Sequence, residues 1–163
     1  MALRTIRLEG DSVLSKKCKE VEEMTPRIRE LFEDMLETMY AAEGVGLAAP
    51  QVGVLKRLVV IDISEERNEP IFLVNPVITS AEGEQLGFEG CLSIPGKSGQ
   101  VRRPLTVTVK AKNLEMEDIE FTATEFLARA VCHELDHLDG HLYVEKLEGP
   151  LYDNDELITE EEE

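Results

Sequence analysis

The sequence predicts an α+β fold in which antiparallel β-sheets pack around a buried C-terminal helix, with an amphipathic helix near the N-terminus. Three observations predict this class. Residues 26–43 carry apolar side chains at helical spacing, short apolar or alternating runs fill the middle of the chain, and residues 125–139 form a second helical pattern. More than half of the circumference of that second helix is apolar or bears histidine, so it must be packed deeply against the sheets.

The composition is that of a folded, acidic domain. The chain has 163 residues, of which 42% are hydrophobic, enough for one domain with a substantial core. The formal net charge is −17, and residues 151–163 contain seven acidic and no basic side chains. We therefore predict a single domain over residues 1–150, followed by an acidic C-terminal tail over residues 151–163. This acidity argues against binding to nucleic acid or to an anionic membrane.

The cysteines and the N-terminus predict a reducing compartment. The three cysteines, Cys18, Cys91 and Cys132, include no CxxC pair and indicate no disulfide framework. The N-terminus has no apolar run long enough for a signal peptide, and no segment approaches the roughly 20 apolar residues of a membrane span. We therefore expect a soluble, cytoplasmic protein.

The first helix is expected to begin at Thr25-Pro26, where a capping hydroxyl precedes a proline at the first helical position. Apolar side chains then recur at a spacing of about 3.6 residues, and charged residues fill the opposite face. These apolar residues are Ile28, Leu31, Phe32, Met35, Leu36 and Met39. The helix is expected to end near Glu43, because the glycines that follow favour a turn.

The middle of the chain predicts short β-strands separated by turns. The predicted strands cover residues 58–63, 71–74, 77–79, 105–110 and 119–122. The last two are expected to form an antiparallel pair. Residues 83–87 and 96–100 are rich in turn-forming residues, and the sequence around Cys91 is not that of a regular strand, so irregular structure is expected there.

The second helix carries the most informative motif. A capping box fits residues 122–125 at its start, and Gly140 ends it. His133 and His137 stand four residues apart, on the same face of the helix, with Glu134 between them. Two imidazoles so placed can bind one metal ion, and the intervening glutamate can act as a base beside it.

Two histidines leave a metal ion short of protein ligands, so a third ligand is needed. The extended pattern HExxHxxGxxH would place a histidine where Tyr143 stands, and a glutamate from a later helix would have to come from the charged tail. Cys91 is the remaining candidate, and a thiolate with two imidazoles suits iron, zinc, cobalt or nickel. For Cys91 considered alone, a buried and inert thiol is the favoured alternative.

Three stretches, in this order, resemble the signature motifs of peptide deformylases. They are GVGLAAPQ at residues 44–51, EGCLS at residues 89–93 and HELDH at residues 133–137. The three motifs are specific jointly, because chance agreement at all of them is very improbable. The resemblance covers roughly residues 1–150 and favours the bacterial form of the family.

The resemblance implies a metal-dependent hydrolase that removes the formyl group from formyl-methionine at the N-terminus of newly made polypeptides and releases formate. Cys91, His133 and His137 would hold one divalent metal ion. The physiological ion would be Fe²⁺, with Zn²⁺, Ni²⁺ or Co²⁺ as possible replacements.

The resemblance also assigns roles to other residues. Glu134 would be the general base and acid, and Gln51 with the backbone N–H of Leu92 would stabilise the oxyanion. Glu89 would pair with a downstream arginine, either Arg102 or Arg103, of which Arg103 is preferred. The candidates for binding the substrate rest on the residues themselves: Gly44, Gly46 and Gly90 would expose backbone to an extended peptide, and Val45, Phe126 and Ala130 would form an apolar pocket for methionine. Phe126 and Ala130 are chosen because they share the histidine stripe of the helix, and ordinary core packing is the alternative for all three apolar residues.

Two features depart from the family pattern. Cys132 stands where many members have a glutamine, and it points away from the metal site, so only a local packing difference is expected. Some members end in a basic helix that docks on the ribosome, whereas this chain ends in acidic residues, which argues against docking through the tail. The alternatives to deformylation are a general HExxH metallopeptidase and a metal-binding protein without catalytic activity.

Overall fold

The computed structural model describes residues 2–155 and confirms the predicted α+β fold. Its helices are α1 (Pro26–Ala41) and α2 (Glu125–Leu138). The strands in this range are β1 (Gly46–Ala48), β2 (Leu58–Ile61), β3 (Ile71–Glu82), β4 (Gln85–Cys91), β5 (Ile94–Arg103), β6 (Thr106–Lys112), β7 (Asp118–Thr124) and β8 (Leu147–Asp153). Short 3₁₀ turns cover Ser12–Ser15, Ala49–Val52 and Tyr143–Lys146.

The strands form two antiparallel sheets. The larger sheet has the order β1-β2-β3-β6-β7, and the smaller one has the order β4-β5-β8. The predicted pairing of β6 with β7 is confirmed, with Val109 opposite Phe121 near its middle. Strand β1 lies at an end of the larger sheet and pairs with β2, so its other edge is free of a neighbouring strand within the described sheet.

The two helices cover opposite faces of the larger sheet. Strand β2 is fully buried, and its side chains alternate between the two faces, as the pleat of a strand requires. Leu58 and Val60 belong to the core beneath α1, whereas Val59 and Ile61 belong to the core beneath α2. This double coverage explains why the sequence of β2 is continuously apolar and does not alternate.

Helix α1 begins as its sequence predicts. The hydroxyl of Thr25 accepts a hydrogen bond from the backbone N–H of Ile28 at 3.2 Å, and Pro26 occupies the first helical position. The first turn of a helix leaves backbone N–H groups without partners. The threonine hydroxyl accepts a bond from one of them, and the proline has no N–H group to satisfy. The helix therefore has a defined start and presents its apolar face to the sheet.

The two strands predicted on either side of Asn75-Pro76 are one continuous strand, β3, so the predicted interruption is wrong. A register shift between Val74 and Val77 accommodates the proline. Asn75 adopts a left-handed backbone conformation with φ of 51°. Its side chain bonds both the N–H and the C=O of Val21, at 2.8 and 2.7 Å, which anchors the N-terminal segment at this bulge.

The irregular structure predicted for residues 83–87, for residues 96–100 and around Cys91 is largely wrong. These residues contribute to β4 and β5, which pair in an antiparallel hairpin. Gly99 in β5 illustrates why: a Cβ atom on this glycine would lie 2.3 Å from the side chain of Leu147 in β8. Glycine is here required by the packing of the neighbouring strand and does not mark a turn.

The capping box predicted for residues 122–125 is also wrong. Thr122 and Thr124 belong to β7, and α2 begins at Glu125 with Thr124 as the capping residue, which makes no side-chain cap hydrogen bond. Pairing with β6 holds this segment in extended conformation up to Thr124. The tertiary pairing therefore overrides the local capping signal.

The C-terminal part of the described chain is more structured than its charge suggests. Strand β8 carries residues up to Asp153 into the smaller sheet, so three residues assigned to the predicted tail are paired with β5. The rest of the predicted tail, from residue 156 onward, lies outside the described residues. No helix between residues 2 and 155 is long and apolar enough to cross a membrane.

Candidate metal centre

Helix α2 brings His133 and His137 together in the interior. Both side chains are buried, and their ring centroids lie 5.1 Å apart. The spacing of four residues places them on one face, as the sequence predicts. The ring of Tyr143, which sequence reasoning did not single out, lies 5.8 Å from the ring of His133 and helps to enclose it.

Cys91 meets this pair of histidines from the smaller sheet. It ends β4 at a tight turn, where Cys91 is opposite Ile94 at the start of β5. Its Sγ atom lies 3.4 Å from Nε2 of His137. The ligand atoms of Cys91, His133 and His137 all lie within 4.8 Å of one another. One sulfur and two imidazole nitrogens at these separations fit a divalent transition-metal ion such as zinc or iron.

The carboxylate of Glu89 orients His133. Oε1 of Glu89 lies 2.9 Å from Nδ1 of His133. Arg103 donates to both oxygens of the same carboxylate, at 2.8 and 2.9 Å, so the structure brings together the two residues that the family resemblance suggested as a pair. Burial alone would raise the pKa of Glu89, but hydrogen bonds from Arg103 and His133 outweigh it and lower the pKa to about 2.

The two histidines have different electrostatic surroundings. Burial would lower the pKa of His133, but the negative charge of Glu134 and a hydrogen bond to Cys91 outweigh it and raise that pKa. Burial and the charge of His133 lower the pKa of His137 well below its usual value. A metal ligand must be a neutral imidazole, so binding of a cation would favour the neutral form of both histidines.

Glu134 is buried beside the histidines with one oxygen free of protein partners. Within residues 2–155, its Oε1 atom has no hydrogen-bond partner. Burial raises the pKa of Glu134 to about 7. A carboxyl group with a pKa near neutrality can accept and release a proton at physiological pH, which is the property a general base requires.

Gln51 reaches the centre from the 3₁₀ turn after β1. Its Oε1 atom accepts a hydrogen bond from the backbone N–H of Ala48 at 2.9 Å. Because Oε1 is held by this contact, Nε2 of the same amide group points toward the smaller sheet. It lies 3.1 Å from the hydroxyl of Ser93 and 3.6 Å from Sγ of Cys91. Gln51 is therefore a fixed, buried donor beside the cysteine.

A cavity of about 520 Å³ opens onto this centre. The sequence-predicted residues that line it are Gly44, Val45, Gly46, Gln51, Gly90, Cys91, Leu92, His133 and Glu134. Phe126 and Ala130 are not among its lining residues: Phe126 is half-exposed at the start of α2, and Ala130 is buried in the core. Their part in binding a substrate remains a prediction.

The loop after β2 holds the glycine-containing wall of this cavity. The backbone N–H of Asp62 donates to the carbonyl oxygen of Val45 at 2.8 Å. The guanidinium of Arg67 donates to the carbonyl oxygen of Gly44. These two bonds hold the backbone of residues 44 and 45 in place, while both residues still line the cavity.

Sequence reasoning missed several residues around the centre. Arg129 contacts Glu89, Asp136 contacts Arg103, and Asn154, just after β8, lines the cavity. Arg129 carries a detectable signal, because it stands four residues before His133 and thus on nearly the same face of α2. Asn154 has no such signal, because only the sheet pairing of β8 places it there.

Comparisons with known proteins agree on one family. The family described as "Polypeptide deformylase" matches residues 3–151 of the chain. A peptide deformylase of Agathobacter rectalis is 62% identical over 153 residues, covering 94% of this chain and 95% of the relative. A peptide deformylase of Lachnoclostridium phytofermentans is 60% identical over 163 residues, covering 100% of both chains.

Solved structures give the same result. The crystal structure of a peptide deformylase from Legionella pneumophila superposes with a TM-score of 0.87 at 46% sequence identity, covering 89% of this chain and 86% of that one. The crystal structure of a peptide deformylase from Thermotoga maritima gives a TM-score of 0.86 at 36% identity, covering 90% of this chain and 99% of that one.

Proposed function

The chain belongs to the polypeptide deformylase family and removes the N-terminal formyl group from nascent polypeptides, and we propose that its catalytic centre is one divalent metal ion held by Cys91, His133 and His137. The observation that carries this proposal is the convergence of the three ligand atoms within 4.8 Å of one another. Two of the side chains come from helix α2 and the third comes from the end of β4, so their meeting is a property of the fold.

We propose Fe²⁺ as the physiological ion, with Zn²⁺, Ni²⁺ or Co²⁺ able to replace it. One thiolate and two imidazoles form a donor set that suits all four ions. When bound, the metal supplies Lewis-acid polarisation of the formyl carbonyl and lowers the pKa of water toward about 7. The protein must therefore hold the substrate, move one proton and stabilise the charge that develops on oxygen.

Glu134 is the proton carrier in this proposal. Its carboxylate takes the proton from the attacking water and then delivers it to the nitrogen of the leaving amine. Two observations support the role: the pKa of Glu134 is raised to about 7, and its Oε1 atom has no protein partner in the described part of the chain. A carboxylate that was already paired would be a weaker base.

The oxyanion of the tetrahedral intermediate needs preorganised donors. We assign this role to Nε2 of Gln51 and to the backbone N–H of Leu92. Gln51 is buried, and its bonds to the N–H of Ala48 and the hydroxyl of Ser93 hold its amide group in a fixed orientation beside the cysteine, which supports this role. One donor of this kind contributes on the order of 3 kcal/mol to the stabilisation of a transition state.

The peptide itself can bind as an added strand. Strand β1 has a free edge within the described sheet, and Gly44, Val45 and Gly46 line the cavity beside it. Gly90 lines the same cavity, and we propose that an extended peptide lies between these two backbone segments. We propose that Val45, Phe126 and Ala130 contact the methionine side chain.

The partners follow from this chemistry. The substrate is the formyl-methionyl end of a newly made polypeptide, and we place the enzyme in the cytoplasm, where such chains are made. The net charge of −17 argues against direct binding of nucleic acid. Activity near the ribosome is compatible with this charge, but docking through the acidic C-terminal tail is not expected.

One experiment separates deformylation from general peptidase activity. The protein is purified without oxygen, its metal content is measured, and formate release is followed with a formyl-Met-Ala-Ser peptide. The matched control is the same peptide without the formyl group, analysed for any cleavage product. Formate release with no cleavage of the control supports the proposal. Cleavage of the unblocked peptide would favour the metallopeptidase, and metal binding without either product would favour a non-catalytic protein.

A further inference from the structure

Arg129 is buried against the same carboxylate that orients His133. Its Nη1 atom donates to Oε2 of Glu89 at 2.7 Å. The same nitrogen also donates to the backbone carbonyl oxygens of Val101 at 2.9 Å and Gly87 at 3.3 Å. Arg129 thus joins helix α2 to both strands of the β4–β5 hairpin, directly behind the proposed metal ligands.

The contacts of Arg129 complete the hydrogen bonding of Glu89. Oε1 of Glu89 lies 2.9 Å from both Nδ1 of His133 and Nη2 of Arg103. Oε2 accepts from Nε of Arg103 at 2.8 Å and from Nη1 of Arg129 at 2.7 Å. An ionised carboxylate has about four lone-pair positions, so all of them are used. The carboxylate cannot turn away from His133 without breaking contacts to two buried cations.

We propose that Arg129 is a positioning residue of the metal centre, which fixes Glu89 so that His133 keeps its Nδ1 on the carboxylate and leaves Nε2 available to a metal ion. The inference rests on the proposed metal centre and adds a residue to it that the motifs do not contain. The hydrogen bond made by one ring nitrogen of a histidine sets the nitrogen that binds a metal. Loss of Arg129 therefore weakens metal binding through Glu89.

The surroundings of Arg129 support a specific role for its Nη1 contacts. Its Nη2 atom is buried and, among residues 2–155, has no hydrogen-bond partner. A buried donor without a partner costs free energy, so the contacts made by Nη1 must offset that cost. Gly87 makes room for this placement, because a Cβ atom at that position would lie 3.1 Å from Nη2.

Arg57 provides a matched control for the structural effect of losing a partly buried arginine. It donates to the backbone carbonyl of Leu138 and to the carboxylate of Asp139, each at 3.1 Å. These contacts also hold helix α2 in place, but at its C-terminal end. Neither of these side-chain contacts of Arg57 involves Glu89 or a proposed ligand.

The test compares Zn²⁺ binding by the full chain, by Arg129→Met and by Arg57→Met. Each protein is stripped of metal with a chelator, and the dissociation constant for Zn²⁺ is measured by competition with a chromogenic chelator. The melting temperature of each metal-free protein is measured in parallel. We expect Arg129→Met to raise the dissociation constant by about 10- to 100-fold, and Arg57→Met to change it by less than about threefold.

The outcomes separate the inference from the proposal on which it rests. Equal dissociation constants for Arg129→Met and Arg57→Met would overturn the inference, because Arg129 would then be a structural residue only. Failure of the unmodified chain to bind one Zn²⁺ would instead overturn the metal centre itself. If Arg129→Met does not fold, Arg129→Gln is measured in the same way, and the same direction of change is expected.

Discussion

Gly46 lies directly against the carboxyl group of Glu134: a Cβ atom on Gly46 would come within 2.4 Å of Oε2 of Glu134. Real Cβ atoms do not approach other atoms this closely, so any side chain at position 46 must displace the carboxyl group. Strand β1 can therefore pass over helix α2 at the active centre only because residue 46 is glycine. The contact fixes where the proposed base stands relative to the cavity.

Gly46→Ala should reduce turnover while leaving the metal ligands in place. The added methyl group moves the carboxyl of Glu134 by about 1 Å, and a displacement of that size can cost about 100-fold in rate. We expect a fall in kcat of that order with an unchanged metal content. Formate release and metal analysis of the purified variant check both parts.

Gly44→Ala is the matched control for that variant. A Cβ atom on Gly44 would meet the end of the Leu92 side chain at 2.6 Å, and a leucine side chain can rotate away. We expect a loss of activity at least about tenfold smaller than for Gly46→Ala, because the base keeps its position. Equal losses in the two variants would show that the position of Glu134 is not the cause.

Glu134→Ala should bind metal and lose turnover. The side chain is not one of the three proposed ligands, so the variant is expected to retain one metal ion per chain. Removal of a general acid and base lowers the rate by about 10²- to 10⁴-fold. Formate release at saturating formyl peptide gives the rate, and a variant that keeps the rate of the unmodified enzyme would exclude Glu134 as the base.

Metal removal should lower the melting temperature of the enzyme, and Cys91→Ser should abolish that difference. A ligand present at 1,000 times its dissociation constant stabilises the folded state by about 4 kcal/mol. A serine hydroxyl is a far weaker ligand than a thiolate, so the serine variant should melt at the same temperature with and without Zn²⁺. A variant that Zn²⁺ still stabilises fully would contradict the assignment of Cys91.

The ion-pair network around Glu89 should make stability depend on pH in the acid range. The pKa of Glu89 is lowered from 4.5 to about 2, so its contribution to stability is present above about pH 4.5 and is lost as the pH falls toward 2. Glu89→Gln leaves Arg103 and Arg129 without their buried partner and should cost about 3–5 kcal/mol at pH 7.

Urea unfolding of the metal-free proteins at several pH values tests this dependence. The difference in free energy of unfolding between the unmodified chain and Glu89→Gln should shrink by on the order of 3 kcal/mol between pH 4.5 and pH 2. A difference that stays constant across this range would mean that the buried contacts of Glu89 do not lower its pKa.

The helices and the central strands could be predicted because each has its own periodic signal. The spacing of apolar residues identifies α1, and the HExxH motif identifies the inward face of α2. Strand β2 is recognisable because a strand covered on both faces is apolar throughout. For these elements, local sequence and tertiary packing favour the same structure.

The smaller sheet could not be predicted in this way. Its glycines, such as Gly87 and Gly99, resemble turn signals, but they are required because Arg129 and Leu147 pack against them. The proposed role of Arg129 could not be predicted for the same reason, because its contacts lie on β4 and β5, which the sequence did not predict as strands. The position of Cys91 beside the histidines became an expectation only through the family resemblance, since no local pattern places a strand end at a distant helix.

The free edge of β1 has a consequence for self-association. A strand with unpaired backbone groups can also accept a strand from another copy of the chain, which is the usual origin of aggregation between sheets. Here the edge is only three residues long, and Pro50 follows at once in the 3₁₀ turn Ala49–Val52. A neighbouring molecule would gain too few hydrogen bonds along so short an edge to stay attached, so the fold limits polymerisation while leaving the edge open.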